Sequence, residues 1–274
     1  MFEIVEDLSA SPHRYLCLKP NQKVDWQEQL ARVYIDLRGG SPTPLSPLIF
    51  EGVQILDVSG LRTRIERSTL PKKRDSNFDV VRSDFGEVWS YVVLEGSFST
   101  MFGYKQVRDR ESIQWPGRGI DAIGVEYSDV SSKLALILVE TKVSDEPASP
   151  PQVVDMAPDS LKAQHQTHLT EHDETCRKVW DVSRRALKQD VRNLLFTAAL
   201  YLQDRRWDKL DLVCCCFLVR STDVYQPSDF GSFRSSPSDY SPSLIRFLIM
   251  RIPGRVNEAV NSWYSKAMEQ VGLK

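Results

Sequence analysis

Glu140 and Lys142 stand two residues apart near the end of the segment KLALILVETK, residues 133–142, and Asp121 stands near the head of GRGIDAIGVEY. Two carboxylates and one ammonium are a set that can hydrolyse a phosphodiester with the help of Mg²⁺ or Mn²⁺. Mg²⁺ takes oxygen ligands, commonly one or two carboxylates together with waters and substrate phosphate. Asp121 and Glu140 would be the carboxylates, and the backbone carbonyl of Thr141 a further ligand. Such a cation polarises a phosphoryl oxygen and lowers the pKa of a bound water. Lys142 would hold that water, help deprotonate it, or steady charge on the pentavalent phosphorus.

Those side chains need elements that bring them to one place. Side chains alternate along a strand, so Leu134, Leu136, Leu138, Glu140 and Lys142 point one way and Ala135, Ile137, Val139 and Thr141 the other. Both faces are apolar over most of the run, as in a strand covered on both sides. Charge at the end of such a strand is expected to be paired or to bind an ion. In the preceding strand, expected over Ile120–Tyr127, Asp121 shares a face with Ile123 and Val125 and follows Gly117 and Gly119. The link 128–132 suits an antiparallel hairpin, which would set Asp121 beside Glu140. The plain alternative is that Glu-x-Lys at a strand end is a solvated ion pair, since so short a motif is common.

The remaining pattern supplies neighbours for this hairpin. A helix is expected over Asp84–Glu95, with Phe85, Val88, Trp89 and Val92 on one side, and another over Asp25–Leu37 after a short strand His13–Leu18. A strand-like run at Val53–Val58 and a basic stretch (Arg62, Arg64, Arg67, Lys72, Lys73, Arg74) follow Pro42, Pro44 and Pro47. Beyond the hairpin come a Pro-rich acidic stretch, Asp145–Pro158, expected to be a mobile loop, and one long helix within Thr175–Leu202. Its core stripe would be Leu187, Val191, Leu194, Leu195, Ala198 and Leu202. Then follow an apolar strand Leu210–Val219, a Ser/Pro/Asp loop Pro227–Pro242, a strand Leu244–Ile252 and a helix Arg255–Gln270 striped by Val256, Val260, Trp263 and Ala267.

A strand-borne Asp, a hairpin, Glu-x-Lys on the next strand, a helix before and a helix and strand after: this order resembles the PD-(D/E)XK nucleases. The motif reads Ile120-Asp121 … Glu140-Thr141-Lys142, without the Pro of the nominal motif, and the likeness spans residues 83–219. It implies an α/β fold with a restriction-endonuclease-like core, a central mixed sheet flanked by helices, carrying N-terminal and C-terminal elaborations. It also implies a metal-dependent deoxyribonuclease using Mg²⁺ or Mn²⁺. Such nucleases often carry an extra acidic residue on the preceding helix, which makes Glu87 a candidate fourth member; the alternative is a surface carboxylate favoured by the helix dipole. The helix after the motif flanks the site in that family, so Arg185, Lys188, Gln189 and Arg192 are candidate DNA-backbone contacts, against the alternative of a solvated face.

HRYLCLKPNQ, DWQEQLAR, GRGIDAIG and LILVETKVS further resemble the nuclease subunits of bacterial Hachiman anti-phage systems, which work with a separate superfamily-2 helicase. That resemblance implies a defence effector in a hetero-complex with the helicase. Residues 1–80 would then form an α+β elaboration for partner contact or for covering the core, and residues 81–274 the nuclease core with its C-terminal strand and helix. A stand-alone restriction or repair endonuclease, and a non-catalytic DNA- or protein-binding member, are the alternatives.

Other chemistries find little support. His165, His168, His172 and Cys176 have a spacing that could bind zinc on a helix, but no HExxH is present and the segment reads as a polar surface stretch. There is no Walker-type phosphate loop and no G-x-S-x-G elbow. The 274-residue chain has 41% hydrophobic and 26% charged residues with a net charge of -2, so no global positive field advertises nucleic acid and any such surface must be local. No apolar run is long enough to span a bilayer, and the acidic N-terminus is no signal peptide. Five cysteines, three of them adjacent at Cys214–Cys216, suit buried strand packing and a reducing, cytoplasmic setting better than a disulfide framework.

Overall fold

A computed structural model describes residues 1–39, 49–50, 53–54, 68, 70–71, 77–110, 112, 119–128 and 133–273. The basic residues Arg62, Arg64, Arg67, Lys72, Lys73 and Arg74, Gly117, and all of the expected strand Val53–Val58 beyond Gln54 lie outside them. Among the described residues a seven-stranded mixed sheet runs through the protein, with helices on both faces, and a two-stranded hairpin stands apart.

The strands are β1 (Phe2–Asp7), β2 (Arg14–Pro20), the hairpin β3 (Ile49–Phe50) and β4 (Val53–Gln54), β5 (Met101–Lys105), β6 (Ala122–Ser128), β7 (Lys133–Ser144), β8 (Leu210–Ser221) and β9 (Leu244–Ile252). Their order in the sheet is β1-β2-β9-β8-β7-β6-β5. The centre, β2, β9, β8 and β7, is parallel, and both margins are antiparallel. The central strands are the ones with apolar residues on both faces. Parallel strands require crossover segments, and those segments cover them. β1, by contrast, is exposed or half-buried along its whole length, as an edge strand can be.

Helices α1 (Trp26–Gly39), α2 (Phe78–Phe98) and α9 (Val256–Gln270) cover the first face. Trp26, Tyr34, Phe85, Trp89 and Trp263 interlock there, with ring centroids 4.8–6.3 Å apart. The expected stripe of α9 is buried throughout. β1, β2 and α1 thus belong to the same sheet and core as the chain from residue 81 onward. The helix α2 lies close to the sheet at Gly86, where a Cβ would meet Val143 Cγ2 at 2.7 Å and Thr141 Cγ2 at 2.9 Å. Gly86→Ala is therefore expected to destabilise the protein by about 1–3 kcal/mol, read as a lower urea midpoint; an unchanged midpoint would mean the helix can lift away freely.

The second face carries α4 (Gln152–Asp155), α5 (Leu161–Thr170), α6 (His172–Arg185), α7 (Gln189–Gln203) and α8 (Ser232–Ser235), after the single turn α3 (Gln106–Asp109) beside β5. Three expectations are corrected here. The single helix within Thr175–Leu202 is two helices. Ala186 and Lys188 take extended ψ values of 129° and 132°, and the Arg192 guanidinium binds the Ala186 carbonyl at 2.9 Å. With no Pro or Gly at the break, periodicity runs through it unmarked. Leu187, assigned to the core stripe, is 82% exposed because it sits in that break.

Nor is Asp145–Pro158 a loose loop. Arg220, buried on β8, donates to the carbonyls of Glu146 and Ala148 and pairs with buried Asp229 at 2.9 Å. Asp145 accepts from the first turn of α9, and Val154 is fully buried. A buried guanidinium must satisfy its donors, and here the Pro-rich segment supplies the acceptors. The stretch Pro227–Pro242 likewise packs Phe230, Phe233 and Tyr240 into the core.

Candidate active site

Asp121, Glu140 and Lys142 come together on the second face, where β6 begins and β7 approaches its end. The β6–β7 ladder ends with Ala122 opposite Val139, and Asp121 just before it is tied to β7 by two further bonds. Asp121 N–H donates to the Val139 carbonyl at 3.1 Å, and Thr141 N–H donates to Asp121 Oδ2 at 2.7 Å, which sets the Asp121 carboxyl next to residue 140. N–H and C=O of one strand residue point to the same edge. The Thr141 carbonyl therefore lies on the edge that Asp121 occupies, past the end of the β6 ladder.

Glu140 is fully buried, Asp121 is 8% exposed, and the Lys142 side chain is 17% exposed. Burial pushes the Glu140 carboxyl up to about 8, against the pull of the Lys142 and Lys178 ammonium groups. Asp121 is raised well above the carboxylate range by burial and then by the charge of Glu140, with the Thr141 N–H and Lys142 acting the other way. Two buried acids this close resist ionising together. A cation between them would remove that opposition, so the donor set fits a hard divalent ion. Lys142 reaches out to Asp159 at 3.0 Å, a carboxylate that is 75% exposed. Solvent around the Asp159 end screens this pair and weakens it, which leaves the ammonium able to take another anion.

Glu87 is fully buried on α2, which sets aside the surface alternative. Its carboxylate accepts from Ser83 at 3.0 Å and from the Tyr91 hydroxyl at 2.9 Å. Burial raises its pKa well above the usual range, and Asp121 and Asp84 raise it further. The same Tyr91 hydroxyl lies 3.2 Å from the Asp121 carbonyl and shares its single proton between the two acceptors, so Glu87 is linked to Asp121 from the α2 side.

The histidine segment is not a polar surface stretch. His165 is fully buried and His168 is 6% exposed. His168 Nε2 lies 2.6 Å from Glu140 Oε1. With its amide nitrogen turned toward the carboxyl, Gln164 donates to Glu140 Oε2 at 3.1 Å. Burial, followed by the charge of Lys178, brings the His168 imidazole down to about 4, so the proton on the Glu140–His168 line belongs to the acid near neutrality. His165 stands edge-on to His168 and Phe233 and is brought down to about 3 by burial and by His168. His172 lies 3.6 Å through its Nε2 from the Cys176 sulfur of its own helix. Among the described residues no three His, Cys, Asp or Glu side chains form a ready cation cage. A cation at Asp121 and Glu140 would therefore keep several waters, as Mg²⁺ commonly does. Each carboxylate oxygen has two lone pairs, which leaves one on each Glu140 oxygen beside its present partner.

Sequence reasoning missed His168 and Gln164, although Leu161, His165 and His168 fall at i, i+4 and i+7 on α5, the spacing of an inward stripe. It also missed Lys178, which no pattern marks. The proposed DNA-contacting set does not share one helical face. Arg185 is exposed at the end of α6, Lys188 precedes α7, Gln189 bonds Asn193 at 2.9 Å, and Arg192 is turned back onto the Ala186 carbonyl. Comparison of the chain with protein-family models finds no match, and comparison with curated proteins finds none. No helix among the described residues is long and apolar enough to cross a membrane.

Proposed function

We propose that this protein is a metal-dependent DNA nuclease of the PD-(D/E)XK kind, hydrolysing phosphodiester bonds at Asp121, Glu140 and Lys142. The observation that carries the reading is the bond from the Thr141 N–H to Asp121 Oδ2 at 2.7 Å. It supports two buried acids side by side where β6 meets β7, with Lys142 two residues beyond Glu140 along β7. Asp121, Glu140 and the Thr141 carbonyl would hold Mg²⁺ or Mn²⁺. Bound there, the ion would supply the positive charge for the phosphoryl oxygen and a water of lowered pKa. Lys142, freed from Asp159, donates to the attacked phosphate or to that water. His168 and Gln164 fix the rotamer of Glu140 through its two oxygens. Glu87 and Tyr91 hold the Asp121 end of the site from the opposite side.

Supercoiled plasmid incubated with the purified protein and Mg²⁺ should be nicked or linearised. EDTA should abolish cutting, and added Mg²⁺ or Mn²⁺ should restore it. Cutting that persists in EDTA would sink the mechanism.

The sequence resemblance to Hachiman nuclease subunits supports a narrower proposal: the protein is the effector of an anti-phage system and forms a complex with a superfamily-2 helicase. The neighbouring gene should then encode a superfamily-2 helicase, and co-expression with it should give one co-eluting species. Separate elution under all salt conditions would refute that partnership.

A further inference from the structure

A cavity of about 550 Å³ opens on the second face between β5, the start of β6, and α6. That volume falls in the range of small-ligand sites. Its lining includes Tyr104, Ile120, Ile123, Lys178, Arg185 and Leu187. Gly119 and Ile120 lead directly into Asp121, so the cavity adjoins the candidate centre. Lys178 joins the two: its charge acts on both Glu140 and His168, and its Nζ stands 3.9 Å from where a Cβ on Gly119 would be.

The charges around this cavity do not cancel. Arg108 is paired with Asp109 at 2.6 Å, and Asp181 is engaged by Arg177 and Arg184. Lys178 and Arg185 have no carboxylate within ion-pair distance among the described residues. In a chain of net charge -2, two cations with no ion-pair partner among the described residues, over an apolar floor and one of them next to Gly119, form a local anion site. Leu187, 82% exposed at the α6–α7 break, and Tyr104 offer apolar and aromatic surface next to those cations. Phosphate on the cations and a sugar or base on the apolar side are the two halves of a nucleotide.

We propose that this cavity seats the nucleotide next to the scissile phosphodiester, with Lys178 and Arg185 contacting backbone phosphate and Tyr104 and Leu187 contacting the sugar or base. The assignment rests on the nuclease reading and identifies which part of the DNA strand the site grips. It replaces the α7 face as the contact surface: Lys188 and Arg192 are not part of it.

The test is binding of a short fluorescein-labelled DNA oligonucleotide, single-stranded and duplex, to Glu140→Gln protein, read by anisotropy across a salt series. Lys178→Ala and Arg185→Ala should each weaken binding severalfold and lower the slope of log K against log salt by about 1. Lys178→Glu should weaken it by about tenfold or more, and Lys178→Arg should restore it. Lys209→Glu, a charge reversal at the far end of β8, should leave affinity and slope within twofold of the parent, about the spread expected of a screened surface charge. Unfolding curves that match the parent separate loss of contact from loss of fold. Binding that ignores Lys178→Glu and Arg185→Ala, or absence of binding in the parent, overturns the subsite. If wild-type protein cleaves DNA in the first case, the nuclease reading stands and only the subsite falls. If binding depends on both cations while no metal supports cleavage, the nucleotide site stands and the nuclease reading falls.

Discussion

Glu140→Ala should reduce Mg²⁺-dependent DNA cleavage by about 10³-fold or more, equivalent to about 4 kcal/mol of lost transition-state stabilisation. The reason lies in what the substitution leaves behind. Asp121 alone would offer one carboxylate at the start of β6, with its Oδ2 already engaged by the Thr141 N–H at 2.7 Å. His168 and Gln164 would lose the group they both point at. Raising the Mg²⁺ concentration should recover little of the rate, because position as well as affinity is lost. Lys142→Ala should behave differently. It removes a cation from the reacting face while leaving both carboxylates, so cleavage should fall by about 10²-fold or more at a half-saturating Mg²⁺ concentration close to that of wild type. Rates of oligonucleotide cleavage against Mg²⁺ concentration distinguish the two. A Glu140→Ala protein that cuts within tenfold of wild type would remove the basis for placing the chemistry here.

The hairpin that carries these residues was legible because its signal is local. The alternation of β7 fixes which of its side chains share a face, and a short link favours an antiparallel hairpin, so Asp121 near Glu140 followed from the chain alone. The β9 strand and the α9 stripe were legible for the same reason. The gap between α6 and α7 was not, because it depends on Arg192 folding back onto a carbonyl rather than on a helix-breaking residue. The order of the Pro-rich segment was hidden because its partner is Arg220, on a strand more than sixty residues away (position 220 against 146–148). The burial of His165 and His168 was hidden by composition: QHQTHLTEH reads as polar, and only the docking of α5 onto β7 shows that two of those imidazoles face inward. Lys178 lies among Cys176, Val179 and Val182, and that its charge reaches Glu140 is a property of tertiary packing.

In the absence of metal, Glu140→Gln should raise the stability of the protein above about pH 7 by about 2–4 kcal/mol, while changing it little near pH 5. The sign follows from proton counting. Burial raises the folded pKa of Glu140 from 4.5 to about 8. Between those values the folded state binds a proton that the unfolded state has released, so its stability falls as pH rises and levels off above about 8. Glutamine resembles the protonated acid: it can donate to His168 Nε2 and accept from Gln164, and it has no charge to bury. Asp121 reinforces the trend, since the charge of Glu140 is the second largest cause of its own raised pKa. Removing that charge lets Asp121 ionise with less opposition. Carboxylates lowered by exposed partners, such as Asp25 and Asp159, lose their contribution only at more acid pH and do not blur this window. A chain of this length should show the difference as roughly 5–15 °C in melting temperature. Saturating Mg²⁺ should reverse the order. Ion binding competes with the Glu140 proton, so the ion should stabilise wild type increasingly from about pH 6 to about pH 8.5 and the Gln variant far less. Melting curves in EDTA and in Mg²⁺ across that range provide the measurement. Parallel pH profiles for the two proteins in EDTA would show that Glu140 is not a buried, protonated acid in the metal-free fold. Equal Mg²⁺ stabilisation of both would show that it does not hold the ion.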